Sequence, residues 1–393
     1  MDIRTESRRQ FMRYLAASPV VAAITGMDFA NGAMAAMSPA DAIDIFDLKA
    51  TAEVNIPLAH WGYLETGVND DKTLRANRKA FEKYYARAKR LVSVADVDMS
   101  VEILGTRWPT PIILAPLGSQ RGFHAEGELG SARAAKSRNH LQMLSTVSST
   151  SVEAVAEARD APVWFQLYTR GGWEGVKARL RRAEAAGCPV VVLTVDMAGG
   201  PGARHTLKRA IREDVRDCAV CHEGNGIAAK GKPMLDGISG DTAEMDLTWE
   251  FLERLRQETT MKVFVKGIVT AEDAEKSIEY GVDGIVVSNH GGRADESGRG
   301  AIESLDEVAG AVRGRTTLFM DSGIRRGVDI FKALALGADA ILVGRPYIYG
   351  LGAFGQAGVE RALDILTQEL RIAMRSFGTP TLADIGPHSI GKF

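Results

Sequence analysis

Residues 288–293 (Ser-Asn-His-Gly-Gly-Arg) place a titratable imidazole three residues before a guanidinium group. An imidazole can accept a proton near neutral pH, and a guanidinium group can bind a carboxylate through two hydrogen bonds. A histidine standing alone is more often structural than catalytic. This one directly follows an apolar run and lies beside paired glycines. The segment therefore predicts a general base, His290, next to a carboxylate-binding group, Arg293, both facing one small substrate.

Two glycine-rich turns later in the chain form a second candidate site. Residues 321–327 read Asp-Ser-Gly-Ile-Arg-Arg-Gly, and residues 344–346 read Gly-Arg-Pro. Backbone N–H groups and guanidinium groups in such turns can hold a phosphate. The alternative is a pair of tight turns with salt-bridged arginines. We predict a phosphate-bearing ligand here, although a phosphate site alone does not identify that ligand.

Eight short apolar runs must position these groups. They cover residues 111–116, 141–146, 163–168, 190–196, 262–267, 284–288, 317–323 and 340–345. Such near-continuous runs are typical of strands buried on both faces, and the segments between them have helical spacing of apolar residues. That spacing is clearest over residues 151–159, 173–186, 271–280 and 328–336. The pattern predicts an α/β fold, a (β/α)₈ TIM barrel with an N-terminal helical extension and a long loop after strand four.

Polar side chains stand at the end of nearly every run. They are Ser145, Gln166, Tyr168, Thr194, Asp196, Lys266, Ser288, Asp321 and Arg345. Chemistry in this fold is built at the carboxyl ends of the strands. Helix capping and turn formation could explain a serine, but not a lysine, two aspartates and an arginine at one mouth. We therefore expect the active site at this end of the barrel.

The interval between the fourth and fifth runs, residues 197–261, is long and rich in glycine and charge. A long loop at this face is usually a lid or a partner surface. It contains Cys218, Cys221 and His222 in the C-x-x-C-H pattern of covalent c-type haem attachment. The thiols would bond to the porphyrin and His222 would supply an axial nitrogen. The alternatives are a disulfide, a metal site and two free thiols.

The N-terminus has the order of an export signal. An arginine pair precedes apolar residues 14–24, and residues 33–35 (Ala-Met-Ala) have the A-x-A form of a signal-peptidase site. The pattern predicts a twin-arginine signal over residues 1–35, a barrel domain over 36–393 and a periplasmic location. The alternative is an amphipathic N-terminal tail on a cytoplasmic protein.

Composition argues against two classes of function. The chain has 393 residues, with 48 lysines and arginines against 50 aspartates and glutamates, so its formal net charge is −2. Without a basic block it lacks the electrostatic attraction on which nucleic-acid binding depends. No apolar run reaches the roughly 18–20 residues that a membrane span requires. We expect neither a nucleic-acid partner nor a transmembrane span.

From about residue 55 to 380, the chain resembles the FMN-dependent 2-hydroxy-acid oxidase and dehydrogenase family. That family includes glycolate oxidase, lactate oxidase, mandelate dehydrogenase and the flavin domain of flavocytochrome b2. The matching segments are 63–67, 73–78, 114–118 (Leu-Ala-Pro-Leu-Gly), 144–146, 166–168, 193–196 (Leu-Thr-Val-Asp) and 265–267, followed by the two candidate sites described above. The resemblance implies a barrel that binds FMN and oxidises a 2-hydroxy acid.

The resemblance also implies roles for individual residues. His290 would be the base, Asp196 would orient it, and Lys266 would lie near N1 and O2 of the flavin. The substrate would be held by Tyr63, Tyr168, Arg293 and Arg204, with Arg209 as the alternative to Arg204. The flavin ring would be held by Pro116, Leu117, Gly118, Ser145, Gln166, Thr194, Lys266 and Ser288, and the ribityl chain and phosphate by Asp321, Gly323, Arg325, Gly344 and Arg345.

We therefore expect FMN-dependent oxidation of a lactate-like L-2-hydroxy acid to the 2-keto acid. The electrons would pass to O₂, a quinone or a cytochrome, and a periplasmic location favours a cytochrome c. Whether His290 takes the Cα proton or the hydroxyl proton is left open by the sequence. The alternatives are another FMN barrel enzyme, such as an isomerase, and a non-catalytic haem-binding or electron-carrier protein on the same barrel. The resemblance also implies a homotetramer.

Overall fold

The computed structural model describes residues 34–197, 203–214, 231–236 and 246–393. Its strands are β1 (Tyr84–Ala86), β2 (Val101–Ile103), β3 (Thr106–Trp108), β4 (Ile112–Leu114), β5 (Leu141–Ser145), β6 (Trp164–Leu167), β7 (Val190–Thr194), β8 (Lys262–Ile268), β9 (Gly284–Val287), β10 (Thr317–Met320), β11 (Ala340–Val343) and β12 (Ile390–Lys392). Its helices are α1 (Ile45–Asn55), α2 (Leu58–Glu65), α3 (Lys72–Lys79), α4 (Gly127–Ser137), α5 (Val152–Arg159), α6 (Gly172–Ala185), α7 (His205–Glu213), α8 (Trp249–Glu258), α9 (Ala271–Glu279), α10 (Ala301–Val312), α11 (Gly327–Ala335) and α12 (Arg345–Phe377).

Strands β4 to β11 form a closed parallel barrel, in which β11 pairs back onto β4. They are the eight apolar runs of the sequence, so the predicted (β/α)₈ barrel is confirmed. Every residue of β5, β7 and β9 is buried. This follows because one face of each strand packs inside the barrel and the other packs under the surrounding helices.

Side chains fill the interior of the barrel. The rings of Trp164, Phe264 and Phe319 pack against one another there, with centroids 5.0, 5.4 and 5.9 Å apart. At the amino ends of the strands the β2–β3 hairpin adds Ile103 to this cluster. The carboxyl ends of the strands form the open mouth, where ligands bind in this fold.

Helices α1 to α3 precede the barrel and form the predicted N-terminal extension. Helix α1 packs along α12, and α2 packs against α7. Helix α3 lies against two loops of the mouth, since Leu74 approaches Gly292 and Asn77 approaches Gly323. The extension therefore forms part of the wall of the mouth.

Described parts of the 197–261 interval also lie at the mouth. Besides α7, they include the 3₁₀ turn Pro233–Leu235, which is anchored by buried Met234 and Leu235. Beside this turn, the ammonium group of Lys232 donates to the carbonyl of Val147 at 2.9 Å. Cys218, Cys221 and His222 lie outside the described residues, as do residues 1–33 of the predicted export signal. Among the helices that are described, none is long and apolar enough to cross a membrane.

Helix α12 bends at Phe354 and Gly355, where the backbone leaves the helical conformation. Its two halves approach each other at Gly350 and Gly358. A Cβ on Gly350 would lie 2.2 Å from the carbonyl oxygen of Gly358. Glycine is needed because the atom in contact belongs to the backbone and cannot turn aside.

We expect Gly350→Ala to lower the free energy of unfolding by about 1–3 kcal/mol, because the added methyl group overpacks this contact. Gly310→Ala is the matched control. Gly310 lies exposed on α10, and apart from its chain neighbours and the adjacent backbone of its own helix nothing lies within 4 Å of a Cβ placed there. Alanine at Gly310 should therefore be neutral or stabilise the protein by about 0.5–1 kcal/mol. Urea unfolding measures the difference, and equal stability of the two variants would contradict the close contact.

Candidate active site

His290 lies in the loop after β9 with its backbone in the left-handed region, at φ 58°. This conformation is uncommon for a residue with a Cβ, and such strain clusters at functional sites. Gly291 and Gly292 follow with φ of 67° and 82°. Gly292 is needed for a second reason, because a Cβ there would lie 2.6 Å from the backbone nitrogen of Leu74. The paired glycines thus allow the sharp turn that leaves the imidazole lining the mouth.

The imidazole of His290 is held between Asp196 and Tyr168. Nδ1 is 2.8 Å from Asp196 Oδ1, and Nε2 is 3.2 Å from the phenolic oxygen of Tyr168. Burial opposes ionisation of Asp196, but the neighbouring imidazole of His290 and the charge of Lys266 outweigh it and hold the pKa of this carboxyl below its ordinary value. In the neutral imidazole the ionised carboxylate accepts the Nδ1 proton, so the lone pair is on Nε2, the nitrogen that faces Tyr168 and can accept a proton from a ligand.

Lys266 extends from β8 into the same mouth and is only 4% exposed. Its ammonium group donates to Ser288 Oγ at 2.6 Å and lies 3.1 Å from Asp321 Oδ2. Burial alone would lower the pKa of Lys266, but the charges of Asp321 and Asp196 raise it above its ordinary value. A fixed positive charge therefore faces the cleft.

Arginines surround Tyr63 at the opposite wall. The guanidinium carbons of Arg204 and Arg293 each lie 4.9 Å from the centroid of the Tyr63 ring. Arg293 donates to the carbonyls of Tyr63 and Leu64 at 2.5 and 2.8 Å. Arg345 donates to the same Leu64 carbonyl at 2.7 Å. Backbone carbonyls of the N-terminal extension therefore orient these side chains.

The same arginines have lost much of their contact with water. Burial lowers the pKa of Arg204 and Arg293, and burial together with the charge of Arg293 lowers the pKa of Arg345 to about 10. Glu65 is the carboxylate that pairs with Arg345 among the described residues, at 3.9 Å from its Nε. Carbonyl oxygens orient a guanidinium group but do not neutralise it. Desolvated cations with so little counter-charge form a site for anions.

A row of hydrogen bonds crosses the floor of the cleft. Ser145 Oγ donates to Gln166 Oε1 at 3.0 Å, and Gln166 Nε2 donates to Thr194 Oγ1 at 2.9 Å. These side chains come from the ends of β5, β6 and β7 and are buried. Together they present donors and acceptors to a flat polar ring lying across the strand ends.

Residues 116–118, after β4, form one wall of the cleft. Behind them the buried carboxylate of Glu128 accepts the backbone N–H of Gln120 at 3.1 Å and of Ser149 at 2.8 Å. Because these two acceptor contacts hold the loops after β4 and β5 together, the wall is fixed from behind.

One cleft at the mouth of the barrel brings most of the predicted residues together. Its lining includes Tyr63, Pro116, Leu117, Gly118, Ser145, Gln166, Tyr168, Thr194, Lys266, His290, Arg293, Asp321, Gly323, Arg325, Gly344 and Arg345. Three other predicted residues are not part of this lining but contact residues that are. Asp196 contacts His290, Ser288 accepts from Lys266, and Arg204 lies over Tyr63. Arg209 is exposed on α7 and is not part of the lining.

The two ends of the cleft differ in chemistry. Arg325 and Arg345 meet the glycine turns at Gly323 and Gly344, which suits a phosphate, whereas the polar row and Lys266 suit a ring with hydrogen-bonding edges. FMN combines a phosphate and such a ring on one chain. The residues present therefore fit FMN.

Sequence reasoning missed several groups that hold the site, namely Glu65, Asn77, Glu128, Asn289 and Ser322, whose Oγ accepts the backbone N–H of Gly291 at 2.9 Å. Glu65 and Asn77 lie inside segments 63–67 and 73–78, which resemble the family, but the resemblance implied no role for either residue. Glu128 stands among small residues on α4, where a carboxylate needs partners to be buried. A lone carboxylate among small residues was therefore the sequence signal that could have identified Glu128.

Residues 52–392 match the FMN-dependent dehydrogenase family. The chain belongs to this family. An L-lactate oxidase of Lysinibacillus sphaericus is 38% identical over 353 residues, which cover 86% of this chain and 89% of the relative. An L-lactate dehydrogenase of Xanthomonas axonopodis pv. citri is 37% identical over 371 residues, which cover 88% of this chain and 95% of the relative. A solved mandelate oxidase superposes with a TM-score of 0.79 at 35% identity, covering 89% of this chain and 98% of the other.

This FMN-dependent dehydrogenase is thus an enzyme that oxidises 2-hydroxy acids, and the predictions of family, cofactor FMN and reaction class are confirmed. Bound FMN supplies the acceptor for two electrons from the substrate. Arg325 and Arg345 would hold its phosphate, and the row from Ser145 to Thr194 would hold its ring with Lys266.

We expect Arg345→Met to weaken FMN binding about 10- to 100-fold, because a buried charge-assisted contact to phosphate is worth about 1.5–3 kcal/mol. Arg371→Met, on the same helix, is the control, since Arg371 donates to the carbonyl of Val97 away from the cleft. Fluorescence titration of the FMN-free protein gives both affinities. Equal affinities would rule out Arg345 as a phosphate ligand.

Proposed function

We propose that this enzyme oxidises L-lactate, or an L-2-hydroxy acid of similar size, to the corresponding 2-keto acid. The observation that carries the proposal is the hydrogen-bonded row of Asp196, His290 and Tyr168, in which His290 and Tyr168 line the same cleft as Arg293. The names of the L-lactate oxidase and L-lactate dehydrogenase relatives support lactate as the substrate.

The arginines at Tyr63 are proposed to bind the substrate carboxylate. Arg293 and Arg204 lie at equal distances from the Tyr63 ring, 4.9 Å. Two guanidinium groups on one carboxylate provide charge-assisted hydrogen bonds from both sides. The phenols of Tyr63 and Tyr168 would bind the carboxylate and the hydroxyl group. A substrate held in this way presents its α-carbon to Nε2 of His290.

His290 then takes a proton from the substrate at Nε2. Asp196, at 2.8 Å from Nδ1, fixes the tautomer and stabilises the imidazolium that forms. In one route the proton comes from Cα and the electron pair stays on carbon. In the other it comes from the hydroxyl group, and a hydride leaves Cα. Both routes remove two electrons and two protons and yield the keto acid, and both use the same base.

Lys266 is proposed to offset the negative charge that arises as the substrate is oxidised. Its ammonium group is buried, faces the cleft and keeps its proton because Asp321 and Asp196 are near. A preorganised cation of this kind costs no rearrangement during the reaction.

We further propose a periplasmic location, a homotetrameric assembly, and a cytochrome c or quinone as the electron acceptor, with O₂ as the alternative. The signal predicted in residues 1–35 supports the location. For Cys218, Cys221 and His222 the interpretations remain a covalent haem, a disulfide, a metal site or two free thiols, and a haem there would receive the electrons within the chain.

Anaerobic addition of L-lactate to the FMN-loaded full chain tests the function. We expect the visible flavin bands to bleach, and His290→Ala to slow this about 10²- to 10⁴-fold with FMN still bound, because the general base is lost. A sharp reduced haem band beside the bleached flavin would assign the C-x-x-C-H motif. The function is wrong if lactate, mandelate and glycolate all fail to bleach the wild-type flavin.

Arg204 and Arg209 offer a matched pair of variants for the substrate site. We expect Arg204→Met to raise the KM for L-lactate about 10- to 100-fold, because one charged contact to the carboxylate is lost. Arg209→Met should leave the KM unchanged, since Arg209 is exposed on α7. Steady-state kinetics with an artificial acceptor give both values, and the reverse order would assign the carboxylate to Arg209.

A further inference from the structure

Asn77 and Asn289 are joined by a reciprocal pair of hydrogen bonds. Asn77 Nδ2 donates to Asn289 Oδ1, and Asn289 Nδ2 donates to Asn77 Oδ1, both at 2.8 Å. The two residues are 1% and 3% exposed. Each amide therefore satisfies both polar atoms of the other in a site without water contact, where hydrogen bonds are strong and an unpaired amide is costly.

The pair also holds backbone on both sides. Asn289 Oδ1 accepts the N–H of Gly292 at 3.1 Å, and Asn77 Oδ1 accepts the N–H of Ala301 at 3.0 Å. Asn77 belongs to α3, Asn289 lies in the loop after β9, and Ala301 begins α10. Three elements are thus fastened at one point.

This point lies beside the reacting groups. Asn289 directly precedes His290, whose backbone is held at φ 58°, and Gly292 directly precedes Arg293. On the other side of the pair, α3 follows the segment that contains Tyr63 and Leu64, whose backbone carbonyls accept hydrogen bonds from Arg293. A hydrogen bond from Val68 N to the Gly292 carbonyl at 3.1 Å ties that segment to the same loop.

We propose that Asn77 and Asn289 are a positioning pair: their reciprocal amide bonds fix the loop that aims His290 at the substrate. Neither side chain lines the cleft, so both act through the loop. The inference rests on the proposed function. Loss of either amide leaves the other buried without its partner and allows the turn around His290 to relax. A displacement of about 1 Å at a reacting group can cost about 10²-fold in rate.

The test is anaerobic reduction of the FMN-loaded full chain by L-lactate in Asn77→Ala, Asn289→Ala and the double variant. We expect each to slow flavin reduction by about 10- to 100-fold with the KM for L-lactate within about threefold, because His290 is misplaced while the carbonyls of Tyr63 and Leu64 still hold Arg293. The double variant should be no slower than the slower single variant, since the pair acts as a unit. If an alanine variant does not fold, Asn77→Asp keeps the acceptor oxygen and removes the donor, and the same slowing is expected.

Asn55→Ala is the control for a merely structural role. Asn55 fastens the same extension to α12, donating to the carbonyls of Gly352 and Ala353 at 3.3 and 3.1 Å. It should lower the thermal midpoint and leave the reduction rate unchanged. Three results would overturn the proposal. They are equal slowing of flavin reduction in Asn55→Ala, wild-type rates in the Asn77 and Asn289 variants, and a rate loss in the double variant equal to the product of the two single losses. A wild-type flavin that no 2-hydroxy acid reduces would instead overturn the proposed function.

Discussion

Burial of positive charge at one end of the barrel is the constraint on which the site depends. Arg345 is 8% exposed and Lys266 is 4% exposed. Removing an ion from water costs several kcal/mol unless partners replace the lost hydration. Lys266 pairs with the carboxylate of Asp321, whereas the arginines donate mainly to backbone carbonyls. The charge left over at the arginines is available to a phosphate and a carboxylate, so ligand binding should stabilise this end of the barrel by linkage.

This constraint explains why the N-terminal extension is required at the mouth of the barrel. The barrel strands and the loops that follow them supply His290, Lys266 and the polar row, but the carbonyls that orient Arg293 and Arg345 belong to the segment at Tyr63 and Leu64. Helix α3 then fixes that segment against the loops after β9 and β10. The site is thus assembled from residues more than two hundred positions apart, and the extension both lines the cleft with Tyr63 and orients the arginines of the barrel.

Much of this could be predicted from the sequence because it is local. The strands were visible as apolar runs, and His290, Lys266 and Asp321 stood at their ends. The contribution of the N-terminal extension to the site could be predicted only from the family resemblance. The residues around Tyr63 do not indicate that its backbone carbonyl accepts a hydrogen bond from an arginine. Ser288 shows the same limit. Its position at a strand end was predicted, but the structure turns its hydroxyl toward Lys266, a partner that depends on the register between β8 and β9.

The loop after β9 illustrates how such partners offset strain. Holding a residue with a Cβ in the left-handed region costs about 1–3 kcal/mol of backbone strain. Such a conformation persists only where several surrounding contacts fix it. His290 is constrained by Ser288 Oγ at its backbone nitrogen, at 3.0 Å, and by Asp196 at its ring. Because Ser288 also binds Lys266, one hydroxyl group links the position of His290 to the position of the cation. The orientation of the imidazole and the placement of positive charge in the cleft therefore depend on the same few hydrogen bonds.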